Sequence, residues 1–142
     1  MKRIAIVLVF LAAAVVLAAC GSSTDSSAVS GKVIKNGPAG NNLTVSLANT
    51  DGVLRDGKQD LILTFADASG KPVDAGAASL NFFMPAMGTM AAMNNAAVLT
   101  TTGTPGVYKA SVDLEMAGEW QAQVSYEGPV GKGKANLAVT AQ

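Results

Sequence analysis

From residue 42 onward, apolar and polar positions alternate along the chain. Leu43, Val45 and Leu47 alternate with Thr44 and Ser46, and Leu61, Leu63 and Phe65 with Ile62 and Thr64. Tyr108, Ala110, Val112 and Leu114 alternate with Lys109, Ser111 and Asp113. Trp120, Ala122, Val124 and Tyr126 alternate with Gln121, Gln123 and Ser125, and Ala135, Leu137 and Val139 with Lys134, Asn136 and Ala138. Successive side chains of an extended chain point to opposite faces, so each window predicts a strand with one buried and one wet face. Weaker strands are predicted at 78–84 and 96–102. Turn formers separate these windows: Asp51-Gly52, Asp56-Gly57, Ser69-Gly70-Lys71-Pro72, Thr104-Pro105-Gly106, Ala117-Gly118 and Gly128-Pro129. No sustained helical stripe follows residue 20. The pattern predicts an all-β fold, an antiparallel immunoglobulin-like β-sandwich of about seven strands. Trp120 and Tyr126 face inward in that arrangement and supply much of its aromatic core.

The first 41 residues follow a different rule. Lys2 and Arg3 give a basic start, and Ile4 to Ala19 is a run of 16 uncharged residues without Gly or Pro. That run is shorter than the ~20 residues needed to span a bilayer. Basic start, short apolar segment and small residues before a cut describe an export signal, a helix over residues 1–19. Leu17-Ala18-Ala19-Cys20 resembles the lipobox of bacterial lipoprotein precursors. The resemblance implies cleavage before Cys20 and a diacylglyceryl group on its sulfur. Each buried methylene of such chains contributes ~0.8 kcal/mol, and two or more chains anchor a protein stably. Residues 20–41 are rich in Gly, Ser and Asn and offer little to bury, so they read as a flexible tether. A short strand at 32–35 is left open by the pattern. The expected organisation is a signal at 1–19, a lipidated tether at 20–41 and a sandwich at 42–142.

Composition narrows the function. Without Lys2 and Arg3 the chain carries eight basic against ten acidic residues, a net of −2. No basic patch points to nucleic acid, and the expected membrane contact is the lipid on Cys20. Gly21, rather than Asp, follows that cysteine, which by analogy with Gram-negative sorting favours the outer over the inner membrane. Cys20 is the single cysteine, so no disulfide can form within the chain. There is no histidine. The usual general base, the Ser-His-Asp arrangement and the commonest ligand of zinc or copper(II) are therefore missing. Carboxylates fall in turns (Asp51, Asp56, Asp67, Asp74) or on outward strand positions (Asp113, Glu119). The stretch from Asp51 to Asp60 lacks the alternating acids and final Glu of an EF-hand loop. The expectation is a protein that is not an enzyme.

One segment carries candidate chemistry. In Phe82-Phe83-Met84-Pro85-Ala86-Met87-Gly88-Thr89-Met90-Ala91-Ala92-Met93, four methionines recur every third residue. Pro85 and Gly88 argue against an α-helix. A 3₁₀ turn or a polyproline-like loop has three residues per turn and would line all four thioethers along one side. Thioethers are soft ligands that select Cu(I) and, by the same softness, Ag(I). Met84, Met87, Met90 and Met93 are thus candidate Cu(I) ligands, with Met116 as a fifth sulfur if the loop folds over its end of the sandwich. Two other readings stand beside this one: the loop is a core plug, since Met fills irregular gaps, or it is an apolar surface that docks an envelope protein.

Met84-Pro-x-Met87-Gly88, then Gly106-Val-Tyr108, then Met116-Ala-Gly118-Glu-Trp120-Gln-Ala-Gln-Val124 resemble the YtkA-like domain family over about residues 42–126. Those are small exported β-sandwich domains related to FixH-type modules and to segments found beside heavy-metal efflux components. The resemblance implies an envelope protein tied to copper or other soft-metal handling. This sequence departs in having no histidine near the methionine loop, so a mixed His/Met copper site is reduced to thioethers alone.

Overall fold

The structure is a computed structural model that describes residues 31–142. The expected export signal at 1–19, Cys20 and the first part of the expected tether lie outside the described residues. Nine strands follow one another: β1 (Lys32–Gly40), β2 (Leu43–Asn49), β3 (Gly57–Ala66), β4 (Ala77–Met84), β5 (Met93–Ala96), β6 (Val98–Thr101), β7 (Val107–Leu114), β8 (Gly118–Gly128) and β9 (Gly131–Ala141). They form two antiparallel sheets, one ordered β1-β2-β3-β7-β6 and the other β5-β4-β8-β9. Setting β1 aside, this is the immunoglobulin order ABED facing C′CFG. No α-helix occurs among the described residues.

The alternation read from the sequence is the alternation of burial. Leu61, Leu63 and Phe65 of β3, Tyr108 to Leu114 of β7, Trp120 to Tyr126 of β8 and Ala135 to Val139 of β9 are buried at every second position. They fill one core between the sheets. Phe65 stands near its middle, edge-on to Tyr108 (ring centroids 5.9 Å apart) and to Tyr126 (5.2 Å). It therefore joins β3 both to its neighbour β7 and to the opposite sheet.

Three expectations need correction. Residues 32–40, assigned to the tether with only a strand at 32–35 left open, form β1 against β2. Gly40 pairs with Leu43 across Asn41 and Asn42, both at positive φ. That is a two-residue hairpin turn in which both central residues take the left-handed conformation that Asn tolerates. Pro38 is acceptable because β1 is an edge strand. Gly37 is there for contact: a Cβ on it would stand 2.7 Å from a methyl of Leu137 on β9. What reads as flexible composition is a strand that passes close over its neighbours.

The second correction is the strand count, nine rather than seven, with β5 the other addition. Its Met-Asn-Asn-Ala sequence has no alternation of apolar and polar types. Pairing with β4 defines it, helped by a hydrogen bond that Asn81 Nδ2 donates to Asn94 Oδ1 at 2.8 Å. Thirdly, Ala117-Gly118, a turn former that reads in sequence as the tight turn of a hairpin with Trp120 opening the return strand, does not close one. β7 and β8 belong to different sheets, so the turn between them crosses from one layer to the other at one end of the sandwich.

The β1–β9 side is fastened at both ends. At one, the Tyr126 hydroxyl donates to the carbonyls of Ala39 (2.9 Å) and Gly40 (3.2 Å) and accepts from Asn41 Nδ2 (3.0 Å). Its single proton is shared between the two carbonyls. At the other end, Gln142 N–H donates to the Leu54 carbonyl (2.9 Å) and Asp56 N–H to that of Gln142 (3.2 Å). Tyr126→Phe keeps the ring and removes the hydroxyl that pins β1. It should destabilise the domain by about 1–3 kcal/mol, the range for orphaning buried polar partners, in urea unfolding followed by Trp120 fluorescence. An unchanged midpoint would mean that β1 is held without it.

Candidate metal centre

The methionine segment is a β-hairpin, neither a 3₁₀ turn nor a polyproline-like loop. Met84, the last residue of β4, pairs with Met93, the first of β5. Toward the tip, Met87 and Met90 form a second, isolated rung. They exchange both backbone bonds, Met87 N–H to the Met90 carbonyl (3.1 Å) and Met90 N–H to that of Met87 (2.9 Å). Gly88, at φ +57°, and Thr89 make the turn between them. A positive φ at the first central residue alone is the type II′ arrangement, whose twist suits a hairpin. Pro85 has no N–H to give, and residues 85–86 and 91–92 carry no ladder between the two rungs.

This geometry decides what the threefold spacing does. In extended chain an odd step changes face. Met84 is accordingly buried, 1% exposed, and Met93 packs half-buried against the core. Met87 and Met90 are turned out, 52% and 43% exposed. The four sulfur-bearing side chains are distributed as two cross-strand pairs, an inner and an outer one. They do not line one side of a loop. Residues directly opposite on an antiparallel pair have Cβ atoms about 4.5–5.5 Å apart. Two flexible thioethers can meet over such a rung.

The inner rung has neighbours from outside the motif, near Met116, the residue expected as a fifth sulfur if the loop folds over its end of the sandwich. Phe83 pairs with Gln121, and continuing that register sets Met84 beside Trp120. Both are essentially sealed from solvent. The Met84 methyl lies 3.0 Å from where a Cβ on Gly118 would stand. The Trp120 indole N–H donates to the Met116 carbonyl at 3.1 Å. Met116 itself is partly buried against the same core. Only strand register brings these residues together, so the spacing within the motif carries no sign of it.

No group of three or more His, Cys, Asp or Glu side chains that could hold a metal is found among the described residues. Residues 77–96, the hairpin itself, contain no His, Cys, Asp or Glu, and their soft donors are the methionine sulfurs. The acids and phenol whose titration the fold shifts lie elsewhere. Asp51 is held below its ordinary value by its bond from Arg55, and Asp67 by the Ser69 hydroxyl and the Lys71 amide. Burial, with Asp74 nearby, raises Tyr108. A shallow groove of about 500 Å³ also lies apart, on the outer face of the β4–β8–β9 sheet between Ser79, Asn81, Gln123 and Asn136.

The profile of the YtkA-like family matches residues 39–125, over half of the chain. No curated protein and no solved structure matches.

Proposed function

Since the chain belongs to the YtkA-like family, we propose that it is a non-enzymatic, lipid-anchored domain of the bacterial envelope that holds Cu(I) on thioethers of its β4–β5 hairpin. Cys20 carries the anchor, and in a Gram-negative envelope Gly21 favours the outer over the inner membrane. The observation that carries the metal reading is the pairing of thioethers across the hairpin, Met84 with Met93 and Met87 with Met90. Neutral sulfur donors fit a soft monovalent ion, whereas a divalent ion that prefers nitrogen or oxygen finds no matching donor set there.

Anaerobic Cu(I) titration of the full chain in detergent tests the reading. Replacing Met84, Met87, Met90 and Met93 together by Leu should lower Cu(I) affinity by about a hundredfold or more, a loss at least as large as that from disturbing a metal site indirectly. Leu retains size and apolarity, so the thermal midpoint should move little. Affinity equal to that of the unaltered chain removes the hairpin from the site.

The outward exposure of Met87 and Met90 supports a second reading, in which the tip docks an envelope protein. Capture of the same partner with and without a Cu(I) chelator, together with no Cu(I) uptake, would favour docking over metal.

A further inference from the structure

We infer that the soft-cation site lies at the end of the sandwich where β8 begins, built from Met84, Met93 and Met116 around the indole of Trp120, and that the outer rung of Met87 and Met90 is not its centre. This deepens the metal reading above and rests on it.

Four observations place these groups together. The hairpin register sets Met93 directly opposite Met84, on the face that meets the core. The β4–β8 register, carried one step past Phe83 and Gln121, sets Met84 beside Trp120. The Met84 methyl and the Trp120 indole nitrogen both reach the turn before β8, the first close to Gly118 and the second bonded to the Met116 carbonyl. Asn95 of β5 donates through Nδ2 to the Asp113 carbonyl at the end of β7, 2.7 Å away. That bond draws the strand carrying Met93 toward the stretch of chain carrying Met116. Three methionines from two sequence-distant segments thus come to the end of the sandwich where Trp120 lies.

Burial grades across the group. Met84 and Trp120 are each 1% exposed, while Met93 and Met116 are only partly buried. A cation would enter between Met93 and Met116, with Met84 as the floor. Thioethers bring no negative charge, so the ion's charge must be stabilised in another way. The face of an indole does this by its quadrupole, most effectively where water is excluded. The outer rung lacks both parts of this arrangement. Met87 and Met90 stand about half exposed, where water competes for the ion, and neither the tip nor its turn contains an aromatic residue. The ligand class is a soft monovalent cation, Cu(I) or Ag(I).

Trp120 is the only tryptophan of the chain, so its fluorescence reports the site directly. The full chain in detergent would be titrated anaerobically with Cu(I), and separately with Ag(I), reading both affinity and emission. Binding should quench Trp120. Met116→Leu, outside the hairpin, should weaken affinity about tenfold or more and remove most of the quench. The double change Met87→Leu with Met90→Leu should cost clearly less and leave the quench in place. Thermal midpoints show that each variant is folded. A larger loss from the outer pair than from Met116→Leu, or binding that leaves Trp120 emission unchanged, overturns this site while the hairpin reading survives. No uptake of either ion by the unaltered chain overturns both.

Discussion

Phe65→Ala should cost about 3–5 kcal/mol of stability, the usual range for truncating a buried aromatic side chain. Phe65 has no exposed surface and occupies β3, flanked in its sheet by β2 and β7. Its ring touches Tyr108 from the neighbouring strand and Tyr126 from the opposite sheet. Each of these tyrosines fastens another part of the chain. The Tyr108 hydroxyl donates to the Gly76 carbonyl at 2.6 Å, at the entry to β4, and the Tyr126 hydroxyl holds the end of β1. A cavity at Phe65 therefore loosens two anchored rings as well as losing the transfer energy of its own. Domains of this size are stable by only about 5–15 kcal/mol, so the change removes a large share of the total. At roughly 4 °C per kcal/mol the thermal midpoint should fall on the order of 15 °C. Phe65→Leu, which fills most of the space and loses only the edge-on aromatic contacts, should cost less than half as much. A drop below about 1.5 kcal/mol for the alanine variant would show that the sheets close over the gap.

The strands that the sequence revealed are those whose two faces meet different media. β3, β7, β8 and β9 each have a face in the core and a face in water, so solvent contrast is written into them at period two. β1 and β5, two of the four edge strands, do not carry that contrast in their residue types; Met-Asn-Asn-Ala does not alternate although its burial does. The burial of β1 is concentrated at Ala39, and its contacts are made through Gly37, through backbone carbonyls and through the Asn41-Asn42 turn. The Asn-Asn pair was the available clue, since Asn is among the few residues other than Gly that accept a left-handed turn.

The methionine segment shows a related limit. Its composition was legible, and so was the softness of its donors. Whether a threefold spacing gathers side chains depends on backbone conformation. It gathers them at three residues per turn and separates them in a strand. Pro85 and Gly88 excluded a helix but left those two options open. The choice is made by β8, which gives β4 a partner up to Phe83 and so carries Met84 into the core beside Trp120. Met116 comes from the crossing between sheets, and its place relative to the hairpin, which the sequence could state only as a condition, depends on that crossing and not on a local pattern.

Gly106→Ala is expected to be about as damaging as any core truncation, for a reason unrelated to hydrophobic burial. Gly106 has φ +83°, where an L side chain costs roughly 1–2 kcal/mol. A Cβ there would also sit 2.1 Å from the Val73 carbonyl oxygen and 2.7 Å from its carbon. Val73 cannot simply retreat, because its N–H donates to the Phe65 carbonyl at 2.9 Å, while Phe65 N–H donates to the Gly106 carbonyl at 2.8 Å. Three backbone segments are thus locked in mutual contact, and relieving the clash breaks at least one of these bonds. Orphaning a buried backbone group costs about 1–3 kcal/mol, so the total should reach on the order of 3 kcal/mol or more. Gly57 provides the matched control. Its φ is also +83°, yet nothing lies within 4 Å of an added Cβ, so Gly57→Ala should show the dihedral cost alone, about 1–2 kcal/mol. Urea unfolding of the two variants separates conformational strain from close approach. Equal losses would mean that the Val73 segment yields freely, and that the junction of Phe65, Val73 and Gly106 is softer than its hydrogen bonds imply.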